Sequence, residues 1–250
     1  MSGAAGSLRS GVILAGGRSS RIGQPKALLE LGGSPLLLHV ARALVPSCDE
    51  LLVVAAPPAA QPPGLLDDLR RTVGSIARRW RALGGRTTSS LRPRARLVHD
   101  ARAHLGPCAG LASALAVARG ELAFVTACDQ PFLSTAVVGE LLARGERGAR
   151  PDVVVARWRG YLEPLVAVYR VASMATHYAR QLEEDELRPT ARLDRVRVEV
   201  VDEADVRTLD PEGLSFVNVN SRADYEAARA LVNARRRRPA RSRRGSSAGA

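Results

Sequence analysis

Apolar positions along this chain fall into short continuous runs that alternate with helical stripes. "VILAGG" (12–17) is an apolar run ending in glycines, the pattern of a buried parallel strand followed by a tight loop. "SPLLLHVARAL" (34–44) has helical periodicity, with Ser34 placed as N-cap and Pro35 at the first helical position. "LLVVAAP" (51–57) reads as a second buried strand, and "PAAQPPG" breaks the pattern after it. An amphipathic helix is expected near 72–83, then a short strand at "ARLVHD" (95–100). "AGLASALAVARG" reads as a helix ended by Gly120, "ELAFVTACD" as a strand, and "STAVVGELLARG" as a helix capped by Ser134. Further strands are expected at 152–157, 165–170 and 195–201, with a last one at "SFVNVN" (215–220). The final helix opens at "SRADYEAARAL", where Ser221 and Asp224 stand in capping-box register. Such alternation predicts a doubly wound, mostly parallel α/β sheet, whose ligands bind at the carboxyl ends of the strands.

With 250 residues, 46 % of them hydrophobic, the chain is long enough to bury one full core. No apolar run is long enough to span a bilayer, and "MSGAAGSLRS" reads as a loose leader rather than a signal peptide. Cys48, Cys108 and Cys128 lack C-x-x-C spacing, and the histidines are scattered. A soluble, cytoplasmic protein is expected. The net charge of +12 invites a nucleic-acid reading, but its location argues otherwise. Seven arginines and no acid lie from Arg235 onward, and nine more, again without an acid, lie in 69–96. The remainder is mildly acidic. The stretch 234–250, rich in Arg, Pro, Ser and Gly, reads as a disordered basic tail, and no specific nucleic-acid partner is expected.

The chemistry gathers around Lys26, the one lysine in a chain whose other basic residues are all arginine. Neither a Walker A loop nor G-x-G-x-x-G is present. The first strand leads instead into Gly16-Gly17, then Arg18, Arg21, Gly23 and Lys26. Glycines let backbone N–H groups approach a polyphosphate, and Leu14, Ala15, Gly16 and Gly17 would form that cradle. Lysine offers a compact point charge where the planar arginine fork is too wide. A solvated turn with an incidental lysine is the competing reading.

These residues carry a resemblance. "LAGGRSSRIGQPKALLELGGSPLLLHV" resembles the L-A-G-G-x-S-x-R-M-G-x-x-K-A-L-L signature of the bacterial molybdenum cofactor guanylyltransferases, with Ile22 in place of Met. "GPCAGLASAL", "CDQPFL", "EPLVAVYR" and "FVNVNSRADYEAA" resemble further motifs of that family, in the same order. The resemblance implies a Rossmann-like nucleotidyltransferase domain over 9–233, with the Arg-rich stretch 58–95 as an insertion near the guanine side that covers the nucleotide or binds a partner. It implies transfer of GMP from GTP to molybdenum-molybdopterin with Mg²⁺ as cofactor, and a molybdoenzyme or chaperone as recipient of the product. Lys26 and Arg21 would stabilise charge, and Asp129 would bind the magnesium. The competing reading for Asp129 is a helix cap, although Ser134 is better placed for that. Asp100 would read guanine, whose adjacent N1–H and N2–H₂ donors suit one carboxylate, and an Asx turn is its competing reading. Gly110 lies in the nucleotide-binding stretch, and Asn218 and Asn220 would hold the acceptor or simply form a turn. The rivals are a cytidylyltransferase on the same pterin, a nucleotidyltransferase for another phosphorylated metabolite, and a nucleotide-binding regulator without chemistry.

Overall fold

The computed structural model describes residues 7–16, 25–86, 94–100, 105–147 and 150–237. Its elements, in chain order, are β1 (Arg9–Leu14), β2 (Glu30–Leu31), β3 (Ser34–Pro35), α1 (Leu36–Leu44), β4 (Glu50–Ala55) and α2 (Leu65–Arg78). Next come β5 (Ala95–His99), α3 (Gly106–Leu115), β6 (Leu122–Ala127), α4 (Thr135–Glu146), β7 (Val153–Trp158) and β8 (Tyr161–Arg170). The chain closes with α5 (Val171–Glu183), β9 (Val198–Val201), α6 (Glu203–Leu209) and α7 (Arg222–Arg237).

Seven strands form one sheet in the order β5-β4-β1-β6-β8-β7-β9. β8 runs antiparallel to β6 and β7; the other pairings are parallel. One face carries Ile13, Leu51, Val53 and Phe124 against α1, α2, α4 and α6. The other carries Val12, Leu14, Val54 and Val125 against α3 and α5. This is the helix-on-both-faces sheet that the alternation predicts. The chain winds from β1 toward β4 and β5, then returns to β6 on β1's other side, so the direction switches between β1 and β6.

Several boundaries differ from expectation for identifiable reasons. Gly32 and Gly33 both have positive φ and close a small hairpin of β2 and β3. That hairpin takes Ser34 and Pro35 out of the helix, so α1 starts at Leu36 and Ser34 is not its cap. α2 begins at Leu65, earlier than the periodicity suggests, because left-handed Gly64 starts it and Asp67 and Asp68 favour its first turn. Gly120 does not cap α3, which ends at Leu115; a Cβ there would lie 2.6 Å from the Ser10 backbone nitrogen. "SFVNVN" is not a strand but a 3₁₀ turn, Leu214–Phe216, followed by an extended segment. α7 runs to Arg237, into the stretch read as tail, whose remaining residues, 238–250, lie outside the described residues.

The Arg-rich stretch is a structural crossover. α2 buries Leu69, Val73 and Ile76 and, with Trp80 beyond it, links β4 to β5. Arg86 and the flanking Arg96 pair with fully buried Asp49 and Glu50 at the start of β4, the sheet end opposite the glycine loop. Arg94 donates to the Asp49 carbonyl and lies over the Trp80 ring. On the same rim, Arg9 pairs with Glu146 and Arg170 with Glu121. Arg9, Arg86, Arg96 and Arg170 therefore answer carboxylates at the amino-terminal rim.

Candidate active site

At the switch point the ends of β1 and β6 stand side by side, with Leu14 in register with Ala127. The Cys128 N–H donates to the Leu14 carbonyl (3.0 Å), and Gln130 folds back to accept from the Thr126 hydroxyl (2.7 Å) and the Ala127 N–H. These bonds hold the turn rigid and set Asp129 at the mouth of the strands. Lys26 opens a 3₁₀ turn, Lys26–Leu28, preceded by Pro25 at φ −60°. Its ammonium donates to Asp129 Oδ2 at 3.1 Å and to Asn220 Oδ1 at 2.5 Å. Both side chains of the ion pair are about a fifth exposed, at 20 % and 17 %, so the pair is sheltered yet open to a ligand.

Asn220 arrives there through two anchors. The Val219 N–H donates to the Asp129 carbonyl at 2.9 Å, and the Val219 side chain is buried with Leu29, Leu31 and Leu36. Beyond it, Asp224 accepts from the Asn220 and Ser221 N–H groups, while its own N–H donates to Ser221 Oγ. That is the expected capping box, with Asp in the usual Glu position. Ser221→Ala is expected to lower stability by about 1 kcal/mol, the ordinary cost of an N-cap serine, read as a shift in urea midpoint at unchanged slope. Trp158 and Phe216 stack at 4.7 Å and support this segment from below.

Asp100 follows β5, with its N–H bonded to the Ala55 carbonyl, and it accepts from Ser113 Oγ of α3 at 3.2 Å. Ser113 is a site neighbour that sequence motifs did not single out. Gly110 packs directly on Leu14: a Cβ there would lie 3.2 Å from Leu14 Cδ2, so glycine lets α3 close on the end of β1. Gly16 approaches the Ala56 backbone in the same way. Asn218 is exposed and, among the described residues, bonds within its own segment to the Phe216 carbonyl, while Asn220 reaches Lys26. Gly17 and Arg21 lie outside the described residues.

Burial pushes the Cys128 thiol up to about 12, so the cysteine beside Asp129 is an inert packing group and not a nucleophile. Among the described residues no three His, Cys, Asp or Glu come together as metal ligands. A lone carboxylate such as Asp129 suits a hard cation only in company with phosphate and water ligands. A groove of about 550 Å³ between the β2–β3 turn and α7, lined by Arg222, Arg229 and Arg236, includes none of these residues.

Residues 11–198 match the family model of the MobA-like NTP transferase domain. This chain belongs to that family. It is 31 % identical to the molybdenum cofactor guanylyltransferase of Desulfosudis oleivorans over 228 residues, 91 % of this chain and 97 % of the relative. It is 32 % identical to the molybdenum cofactor guanylyltransferase of Pseudomonas aeruginosa, over 69 % of this chain and 71 % of that one. The crystal structure of molybdopterin-guanine dinucleotide biosynthesis protein A from Archaeoglobus fulgidus superposes with a TM-score of 0.69 at 24 % identity, covering 91 % of this chain and all of that one. The Thermus thermophilus 2-C-methyl-D-erythritol 4-phosphate cytidylyltransferase shares the fold, at a TM-score of 0.55 and 18 % identity over 89 % of this chain and 98 % of that one. As a MobA-like transferase the chain is a nucleotidyltransferase. Among its described residues no helix is long and apolar enough to cross a membrane.

Proposed function

We propose that this nucleotidyltransferase transfers GMP from GTP to the terminal phosphate of molybdenum-molybdopterin, forming the guanine dinucleotide cofactor and releasing pyrophosphate. The observation that carries the reading is the meeting of Lys26, Asp129 and Asn220 at the switch point. The names of the relatives, molybdenum cofactor guanylyltransferases, supply the substrate class.

The attacking group is a phosphate monoester with a second pKa near 6, mostly dianionic at pH 7, so no side chain has to remove a proton. Catalysis is then positioning and charge stabilisation at the α-phosphorus. Lys26 supplies a point charge within reach of the transferring phosphate, and Arg21 adds to it as the pyrophosphate leaves. Asn220 holds the Lys26 ammonium in place and, with Asn218, offers amide groups to the acceptor. Asp129 would hold Mg²⁺ together with substrate phosphates, and the cation would neutralise charge on the phosphoryl oxygens. Asp100, oriented by Ser113, accepts both donors of the guanine edge. Leu14, Ala15 and Gly16 line the phosphate side, where Gly17 would join them, with Gly110 keeping α3 close. The reaction belongs to the cytoplasm, and the product passes to a molybdoenzyme or its chaperone.

Incubation with molybdenum-loaded pterin, Mg²⁺ and either GTP or CTP, scored by product mass and pyrophosphate release, is expected to give product with GTP. Product from CTP alone would overturn the base assignment while leaving the constellation intact. Asp100→Asn keeps the shape but turns one acceptor into a donor. Its preference for GTP is expected to fall roughly tenfold to a hundredfold, the worth of a charged hydrogen bond at about 1.5–3 kcal/mol. An unchanged GTP preference would remove Asp100 from the base pocket.

A further inference from the structure

Glu163 has no part in the Lys26–Asp129–Asn220 constellation. It lies near the start of β8, where strand register sets it opposite Ala156 of β7. Directly opposed residues of antiparallel strands point to the same face. Ala156 belongs to the face that also carries Ala27 of the Lys26 turn and Cys128. Glu163 is therefore on the Lys26 side of the sheet. Its end of the sheet follows from the neighbouring pair: β6 and β8 run antiparallel and pair as far as Thr126 and Val166, and both Asp129, after β6, and Glu163, before Val166, lie beyond that pair. Glu163 is thus at the same carboxyl end of β6 as Asp129, one strand over, toward the half of the sheet away from Asp100.

The strand is bent at this point. Val155 pairs with Ala167 while the next residue, Ala156, pairs with Glu163, so residues 164–166 form a bulge that contains Pro164. Bulges re-aim side chains and are common beside active sites. Glu163 is half-buried, and burial pushes its carboxyl above the usual glutamate value. Buried carboxylates are normally satisfied, and the fully buried ones among the described residues are, whereas Glu163 keeps part of its surface in water. Asp49, Glu50, Asp152 and Asp210 each have bonded partners. Among the described residues, Glu163 is a sheltered carboxylate without a hydrogen-bond or ion-pair partner.

We propose that Glu163 forms a subsite for the acceptor, binding a heterocycle that presents an amide N–H and an amino group side by side, as the 2-amino-4-oxo edge of a pterin does. One ionised carboxylate accepts both donors at once. Glu163 then does for the acceptor, over β6 and β8, what Asp100 does for the base, over β4 and β5. The inference rests on the proposed GMP transfer to a pterin and names the residue that selects the acceptor.

The test is steady-state kinetics of the full-length wild type, Glu163→Gln and Glu163→Ala, with GTP and molybdenum-loaded pterin varied in turn and folding checked by thermal melting. Both variants are expected to raise the acceptor KM tenfold to a hundredfold, with kcat and the GTP KM within about threefold of wild type. An acceptor analogue lacking the 2-amino group is expected to be penalised by the wild type and accepted without further penalty by Glu163→Ala. If the wild type is active but acceptor KM is unchanged in both variants, the Glu163 assignment is overturned alone. It is overturned equally if the GTP KM rises in parallel with the acceptor KM. A wild type that binds GTP yet transfers nothing to the pterin overturns the GMP-transfer reading, and this subsite with it.

Discussion

Replacing Lys26 with alanine is expected to lower kcat/KM by about 2–4 kcal/mol of transition-state stabilisation, roughly 30-fold to 1000-fold, the range seen on losing one preorganised donor to a developing anion. The ammonium is sheltered, held by Asp129 and Asn220 at 3.1 and 2.5 Å, so its position is set before a substrate arrives. Preorganisation of this kind makes a charge effective, because nothing has to be reordered during the reaction. Stability should hardly change, since partly exposed ion pairs contribute little to folding. Lys26→Arg is expected to fail as a rescue: a point donor bridging two acceptors is not replaced by a wide planar fork. Turnover at the wild-type rate in Lys26→Ala, with melting temperature unchanged, would remove Lys26 from the catalytic machinery.

The largest effect on stability is expected at the opposite end of the sheet. Glu50 is fully buried at the start of β4 and accepts from Ser10 Oγ (2.8 Å), the Arg119 N–H (2.7 Å) and Arg96 (3.1 Å). Truncation to alanine removes the carboxylate that the Ser10 hydroxyl, the Arg119 N–H and the Arg96 guanidinium share, while Arg96 keeps its bond to the Val117 carbonyl. Removing one member of such a network costs about 3–5 kcal/mol, enough to consume a large part of a typical domain's stability. Urea unfolding of Glu50→Ala and Glu50→Gln measures it. The amide, which keeps one acceptor oxygen, should recover part of the loss. A loss below about 1 kcal/mol in the alanine variant would mean that water replaces the carboxylate. Activity per folded molecule should survive, because the network lies away from the glycine loop.

How much of the molecule is legible in the chain depends on whether the signal is local. β1, β4 and β6 are flanked by strands on both sides and covered on both faces, so they appear as unbroken apolar runs and are legible to within a few residues. The Ser221–Asp224 cap is legible because its geometry is contained in four consecutive positions. The β2–β3 hairpin escapes such reading: a Gly-Gly turn between two-residue strands is too short for periodicity to register. "SFVNVN" misleads for a different reason. Its alternation is real, with Val219 buried and both asparagines exposed, but a single backbone bond to Asp129 replaces a ladder. Lys26 and Asp129 stand out by residue type and position. The bond from Lys26 to Asn220, the Ser113 support for Asp100 and the isolation of Glu163 do not, because each depends on which strands become neighbours.

The Lys26 ammonium meets partners 103 and 194 residues further along the chain. During synthesis, β1, β4, β5 and β6 can pair and bury most of their apolar faces while the segment carrying Asn220 is still unmade. Such an intermediate has the switch point but leaves Lys26 without its second acceptor and the Asp129 carbonyl without the Val219 N–H. The Lys26–Asp129–Asn220 arrangement is therefore the last part of the molecule to be supplied in chain order, with the segment carrying Val219 and Asn220. A chain cut short of Val219 would keep the strands of the switch point but lack both the Asn220 acceptor and the Val219 N–H that anchor its rim.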